Sequence, residues 1–150
     1  MIRCSTLVAM LIAALIAALG LMTVTVSSAF AGDPTGTWLS QDGDVKIKVS
    51  QCGAAICGTI AWLKSPNDAS GKPKVDINNP DASKRSRPIL GSSVILPMNP
   101  DGADKWAGHI YNAEDGKTYS GSLALTGANK ADLKGCVAII CKTKTWTRSN

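Results

Sequence analysis

His109 is the only histidine of the 150-residue chain, so any histidine-based acid or base chemistry rests on it. It falls inside the stretch Trp106-Ala107-Gly108-His109-Ile110-Tyr111, where a packed or solvated strand side chain is a commoner role than a proton shuttle. One histidine cannot assemble a mixed histidine–carboxylate metal cluster, and no glycine-rich phosphate loop occurs. The segment Asp76-x-Asn78-Asn79-x-Asp81 gathers hard oxygen ligands of the kind calcium takes. It lacks the central turn glycine and the closing bidentate glutamate of the common calcium loop, and Asx-turn chemistry around Pro80 accounts for the same residues. Lys84, Arg85 and Arg87 place three cations within four residues. Arg85 and Arg87 could grip a carboxylate or phosphate bidentately, or pin their own segment through Asp76 or Asp81. The expectation is therefore no catalytic constellation, no metal and no cofactor: a binding protein, not an enzyme.

Cysteines and aromatics carry the remaining chemistry. Four of the five cysteines, Cys52, Cys57, Cys136 and Cys141, lie in the body of the chain. An even number in a small exported domain reads as two disulfides. A four-cysteine zinc site is disfavoured by the C-x4-C spacing, since zinc knuckles use tighter loops. Trp62, Trp106 and Trp146, with Tyr111 and Tyr119, supply most of the aromatic bulk. Such residues either fill the interior of a small barrel or line a pocket for an apolar guest, and composition leaves both open.

The elements that position these residues begin after residue 31. Arg3 precedes an apolar run over residues 7–26, and Ser27-Ser28-Ala29-Phe30-Ala31 ends it in a small-x-small pattern. This predicts a signal peptide over residues 1–31, removed to leave Gly32 as the new terminus. The run is long enough for a membrane anchor, but Gly32-Asp33-Pro34 follows it instead of a basic stop-transfer cluster. Cys4 precedes the run, so no lipoprotein cysteine follows it. The expected product is an exported single domain, residues 32–150, with no stable membrane span after cleavage. Without Arg3, fifteen basic and eleven acidic side chains leave a net charge near +4. The lysines are dispersed, some alternating with other residues (Lys46, Lys48; Lys142, Lys144) as on a solvated strand face. No basic run with interleaved aromatics supports nucleic-acid binding, whereas a mild attraction to anionic envelope surfaces is consistent with the charge.

Two Asp-Gly pairs, Asp42-Gly43 and Asp115-Gly116, sit between alternating segments and mark tight hairpins. With the other turn signals they predict eight strands, over residues 36–41, 44–51, 56–64, 89–96, 105–112, 117–125, 130–136 and 141–148. No segment beyond the leader has a helical period. One long connection remains, residues 65–88, rich in proline and charge; loops of that length are usually functional or disordered. Eight sequential strands joined mostly by tight turns predict an all-β, up-and-down antiparallel barrel, which leaves no free edge. A two-sheet sandwich is the alternative. Trp38 on the first strand and Arg148 on the last favour the barrel, because closure makes those strands neighbours and lets the guanidinium cover the indole.

Alternating turns also select the disulfide pairing. The turn within 52–57 and the turn within 136–141 fall at opposite ends of such a barrel, roughly 20 Å apart, beyond disulfide reach. The bridges are therefore expected to be local, Cys52–Cys57 and Cys136–Cys141. The connections after strands one, three, five and seven share one end, which includes the long loop and the apolar tip Val137-Ala138-Ile139-Ile140. Hairpin tips are normally polar. Either this tip is buried under the long loop, or it rims a mouth for which the loop is a lid. In the second case Trp62, Trp106, Tyr119, Ile139 and Ile140 contact a ligand, and Arg85 and Arg87 take an acidic head group.

Gly36-Thr37-Trp38, with an arginine closing the last strand, resembles the structural signature of the calycins, the lipocalin and fatty-acid-binding barrels. A broader resemblance covers nearly all of residues 32–150. Asp33-Pro34-Thr35-Gly36-Thr37-Trp38, Cys52 to Cys57 running into Gly58-Thr59-Ile60, Gly71-Lys72-Pro73-Lys74, Asn78-Asn79-Pro80-Asp81 and Arg85-Ser86-Arg87-Pro88 carry it. Ile110-Tyr111-Asn112, Asp115-Gly116-Lys117-Thr118-Tyr119 and Thr145-Trp146-Thr147-Arg148 complete it. Together they are similar to domain of unknown function 2147, small exported bacterial proteins. That resemblance implies a lipocalin-like barrel in the bacterial periplasm or outside the cell, and brings no established activity or catalytic residues. The expected function is a binding protein holding a small apolar or amphipathic ligand. A protein-binding module, such as an inhibitor of an envelope hydrolase, is the alternative; no protein partner is identified.

Overall fold

The structure is a computed structural model that describes residues 32–150; the predicted leader lies outside the described residues. Eight strands follow one another: β1 (Gly36–Leu39), β2 (Val45–Cys52), β3 (Ala55–Leu63), β4 (Ser93–Pro100), β5 (Lys105–Asn112), β6 (Lys117–Gly127), β7 (Lys130–Val137) and β8 (Ile140–Ser149). A single 3-10 turn, Ala82–Lys84, interrupts the connection between β3 and β4. Each strand pairs with its sequence neighbour, and β1 pairs with β8 to close the barrel. The alternation of apolar and polar residues in β2 explains why this segment is a strand, with Ile47 and Val49 buried and Lys48 and Ser50 exposed. Gly43 and Gly116 adopt positive φ, +72° and +69°, which the two tight Asp-Gly hairpins require.

Up-and-down order gives the barrel two unlike ends. The termini and the turns β2–β3, β4–β5 and β6–β7 form one, called here the terminal end. The turns β1–β2, β5–β6 and β7–β8 and the long connection form the other, the loop end. The core fills the interior, with Trp38, Ile95, Met98 and Leu123 wholly buried beside Trp106, Ala131 and Trp146. The disulfides are Cys52–Cys57 across the β2–β3 turn and Cys136–Cys141 across the β7–β8 turn.

β1 ends two residues early and β6 two residues late, but the largest departure from the expected boundaries is in β4. β4 begins at Ser93 and runs through Pro97 to Pro100, rather than spanning 89–96. Residues 89–92 form a turn, with Gly91 at φ +85° and the Ser92 amide bonded to the Ile89 carbonyl. Pro97 is tolerated because the pairing of β4 with β5 is irregular between Ile95 and Asn99, where no ladder donor is required.

Candidate functional site

The terminal end is plugged by side chains. Arg148 lies over the Trp38 ring, its guanidinium 4.3 Å from the ring centroid. Its fork donates to the carbonyls of Thr35 (2.6 Å), Asp33 (2.8 Å) and Ala128 (3.2 Å), while Trp38 Nε1 donates to the Pro34 carbonyl. Gly36 has φ +120°, and a Cβ there would stand 2.8 Å from the Arg148 guanidinium, so glycine is required on both counts. A cleft at this end is lined by Asp33, Asp104, Leu125 and Arg148. With two carboxylates and a guanidinium at its walls it does not suit an apolar guest.

At the loop end the long connection is ordered and bonded to itself. Val75 bridges to Pro88 and Asn67 to Pro73. Asp76, fully buried, is its anchor. Its carboxylate accepts from the Tyr111 hydroxyl (2.6 Å), Asn79 Nδ2 (2.7 Å) and both Nε and a terminal nitrogen of Arg87 (3.0 and 2.8 Å). Burial opposes charge on Asp76, but these bonds prevail and hold its carboxyl below the usual range. Burial, reinforced by the Asp76 bond, pushes the Tyr111 hydroxyl up to about 12. Tyr111 is on the outer face of β5, so the connection folds against the barrel wall there. Asn78 Nδ2 also reaches the Glu114 carbonyl of the β5–β6 turn at 2.7 Å.

This network corrects the head-group assignment for the two arginines. Arg87 is engaged by Asp76, and Arg85 donates through Nε to the Asn79 carbonyl at 2.8 Å, so both pin the connection. The oxygen-rich segment is turn chemistry: Asp81 caps the 3-10 turn, and Asn79 accepts from the Asp81 amide. Hydrogen bonds from Ser83, with the Lys84 ammonium, bring Asp81 down to about 2. Among the described residues no three His, Cys, Asp or Glu side chains are grouped to hold a metal ion.

The strand register identifies the inward-facing residues at the loop end. Ile47 pairs with Ile60 but Lys46 pairs with Trp62, so a one-residue bulge in β3 turns Trp62 to the outer face. Trp62 lies there under Lys46, 5.9 Å from its ammonium, and lines no interior surface. Trp106 is a buried core residue and shares the inward side of β5 with Ile110. Tyr119 pairs with Ile110 and donates to Asp115, a bond that raises its own pKa. His109 is exposed on the outer face.

Val45, Leu63, Ile89, Ile110 and Leu133 are half buried and packed above the core, giving the loop end an apolar floor. Three inward positions beside this floor are glycines on one pairing row, Gly108–Gly121–Gly135, which continues to Lys142. Lys142 and Lys144 share the inward side of β8 with buried Trp146. They stay solvated because this hairpin outruns the barrel rim, not because they face outward. Lys144 binds Asp42 of the β1–β2 turn, which raises its pKa. Lys142 makes no ion pair among the described residues.

The tip is exposed rather than buried beneath the long connection: Ile139 is 96 % accessible and Ile140 72 %. Every exposed large hydrophobic among the described residues, Trp62, Ile77, Leu90, Val137, Ile139 and Ile140, belongs to the loop-end half. Sequence reasoning offered Asp76 as a pinning partner for the arginines, and Arg87 takes it; it missed the glycine row, the floor and the part of Tyr111 and Asn79 in that anchor. The glycines were visible as residues of neighbouring strands, but only the register aligns them.

A family model described as an uncharacterized protein conserved in bacteria, DUF2147, matches residues 36–148. Among solved structures, a Helicobacter pylori protein, HP1028, described as belonging to the lipocalin family, is similar at 20 % identity with a TM-score of 0.69. The match covers 79 % of this chain and 84 % of that one, and it shows the fold. A redesigned beta barrel matches at 14 % identity and a TM-score of 0.45, over 77 % of this chain and 91 % of its own. No curated protein matches.

Proposed function

The chain belongs to this family of proteins conserved in bacteria, and from that premise we propose an exported binding protein of the bacterial envelope or extracellular space, taking a small apolar or amphipathic ligand at the loop end. The observation that carries this reading is the asymmetry of the barrel. One end is plugged by Trp38 and Arg148, while the other presents the half-buried floor of Val45, Leu63, Ile89, Ile110 and Leu133 beneath an apolar rim. A concave apolar surface with few polar groups is the usual form of a small-molecule site. Lys142, on the inner side of the rim and without an ion pair among the described residues, is available to an anionic head group.

The test is titration with a fluorescent long-chain carboxylate and with its alcohol analogue, read by energy transfer from tryptophan. A Cβ at Gly135 would meet Ile110 and Tyr119 at 3.8 and 4.0 Å, ordinary contact distances, so a side chain fits there and projects over the floor. Gly135→Leu should weaken uptake of both probes about tenfold or more with the fold intact. Lys142→Gln should cost only the carboxylate, by a few-fold. Absence of probe binding by the wild type, or equal binding by Gly135→Leu, removes the proposal. Export is tested separately, because the intact mass of protein recovered from the periplasm or medium should begin at Gly32.

A further inference from the structure

We propose that the β7–β8 hairpin docks the protein on an anionic lipid surface, with Ile139 and Ile140 inserted among the head groups and Lys134 and Lys142 beside the lipid phosphates. The tip carries three exposed large apolar side chains, Val137, Ile139 and Ile140. Ala138 between them holds φ +51°, a conformation that turn glycine or asparagine takes with less strain. The Cys136–Cys141 bridge ties the base of the tip. The apolar knob is thus rigid before contact, and little conformational entropy is lost on docking.

Shape and charge select the occupant. Four residues at a convex tip fall short of the roughly 800 Å² per partner that a stable protein–protein interface buries. A lipid surface needs no complementary groove, because head groups part around the knob. Lys142 lies three residues from Ile139, about 10 Å along the strand, and interfacial apolar segments sink about 5–10 Å. Lys134 and Lys142 would then stand at phosphate depth, and neither makes an ion pair among the described residues. Of the acids on neighbouring turns, Asp42 is held by Lys144 and Asp115 accepts from Tyr119, leaving Glu114 and Asp44 as the carboxylates without a side-chain partner among the described residues. Cations near an anionic leaflet add to apolar insertion, and salt weakens their share.

Protein in the form recovered from the cell is spun with vesicles of phosphatidylcholine alone or with one-third phosphatidylglycerol, without added ligand. The wild type should co-sediment with the anionic vesicles. Ile139→Ser/Ile140→Ser should lower the bound fraction about tenfold or more while the tryptophan emission of the core is unchanged. Lys134→Gln/Lys142→Gln should weaken binding to anionic vesicles several-fold, as should 0.5 M salt. An Ile139→Trp variant keeps the tip apolar, and its emission should be quenched by bilayer-brominated lipid. Failure of the wild type to bind, equal binding by the serine pair, or no quenching at position 139 overturns the proposal. So does self-association or capture of a protein partner that the serine pair abolishes in place of vesicle binding.

Discussion

Asp76 shows how much one buried carboxylate organises. It is ionised in a dry setting because three side chains converge on it with four hydrogen bonds, and these would weaken if the charge were removed. Asp76→Asn should destabilise the protein by about 2–3 kcal/mol at neutral pH, through loss of the charged pair with Arg87. The pH dependence has a definite sign. Because folding lowers the Asp76 pKa, its ionisation adds stability above the ordinary unfolded value near 3.9, and that stability is lost as pH falls through the folded value. The gap between wild type and Asp76→Asn in urea melts should therefore begin to narrow as pH falls below about 4. A gap unchanged at pH 3 would show that the charge is not what Asp76 contributes. Tyr111 acts in the opposite direction: raised to about 12, it adds stability below the ordinary value near 10, which is lost as pH rises toward 12.

At the scale of strands, the row Gly108–Gly121–Gly135 determines how tightly the wall closes. A Cβ at Gly108 would overlap the Pro97 carbonyl and stand 2.9 Å from Met98 Cα, so backbone would have to move. At Gly121 the nearest obstacles are Ile110 Cδ1 and Cγ1, 2.5 and 2.6 Å away on a side chain that can rotate toward the half-open floor, with the Lys134 carbonyl at 3.2 Å needing a smaller shift. Gly108→Ala should accordingly cost about 2–3 kcal/mol, as overpacking against rigid structure does, and Gly121→Ala about 1 kcal/mol or less. Denaturant melts that rank the two variants in the reverse order would mean that the wall yields more easily than the Ile110 side chain.

For the molecule as a whole, closure concentrates stability at the terminal end and leaves apolar surface at the other. Arg148 joins β8 to the segment before β1 by stacking on Trp38 and donating to three carbonyls. Arg148→Ala should lower stability by about 2–3 kcal/mol in a single cooperative transition, and Arg148→Lys should recover less than half, because an ammonium cannot bridge the same carbonyls as the planar fork. Urea unfolding followed by tryptophan emission reads this, since Trp38, Trp106 and Trp146 are core residues. A loss below about 0.5 kcal/mol would remove Arg148 from closure. The same asymmetry places ligand uptake and lipid docking at one end, so both proposals concern surfaces that the plug does not supply.

What the amino-acid order determined is what short-range physics can specify. Asp-Gly turns and period-two alternation define most strands, and tight turns impose sequential antiparallel pairing. Pairing in turn makes β1 and β8 neighbours and keeps each disulfide within its own hairpin. The rest depends on contacts that no local pattern encodes. Asp76 and Tyr111 are 35 residues apart and meet only because the long connection folds back on the wall. A single bulged residue reverses the side of Trp62, and no propensity signals its position. Lys142 and Lys144 look like an outer face until the register aligns them with buried Trp146 and shows how far the hairpin outruns the rim. Whether Val137, Ile139 and Ile140 are covered or exposed turns on where the long connection packs. It packs on β5 and the β5–β6 turn, held there by Asp76 and Asn78, and the tip stands clear.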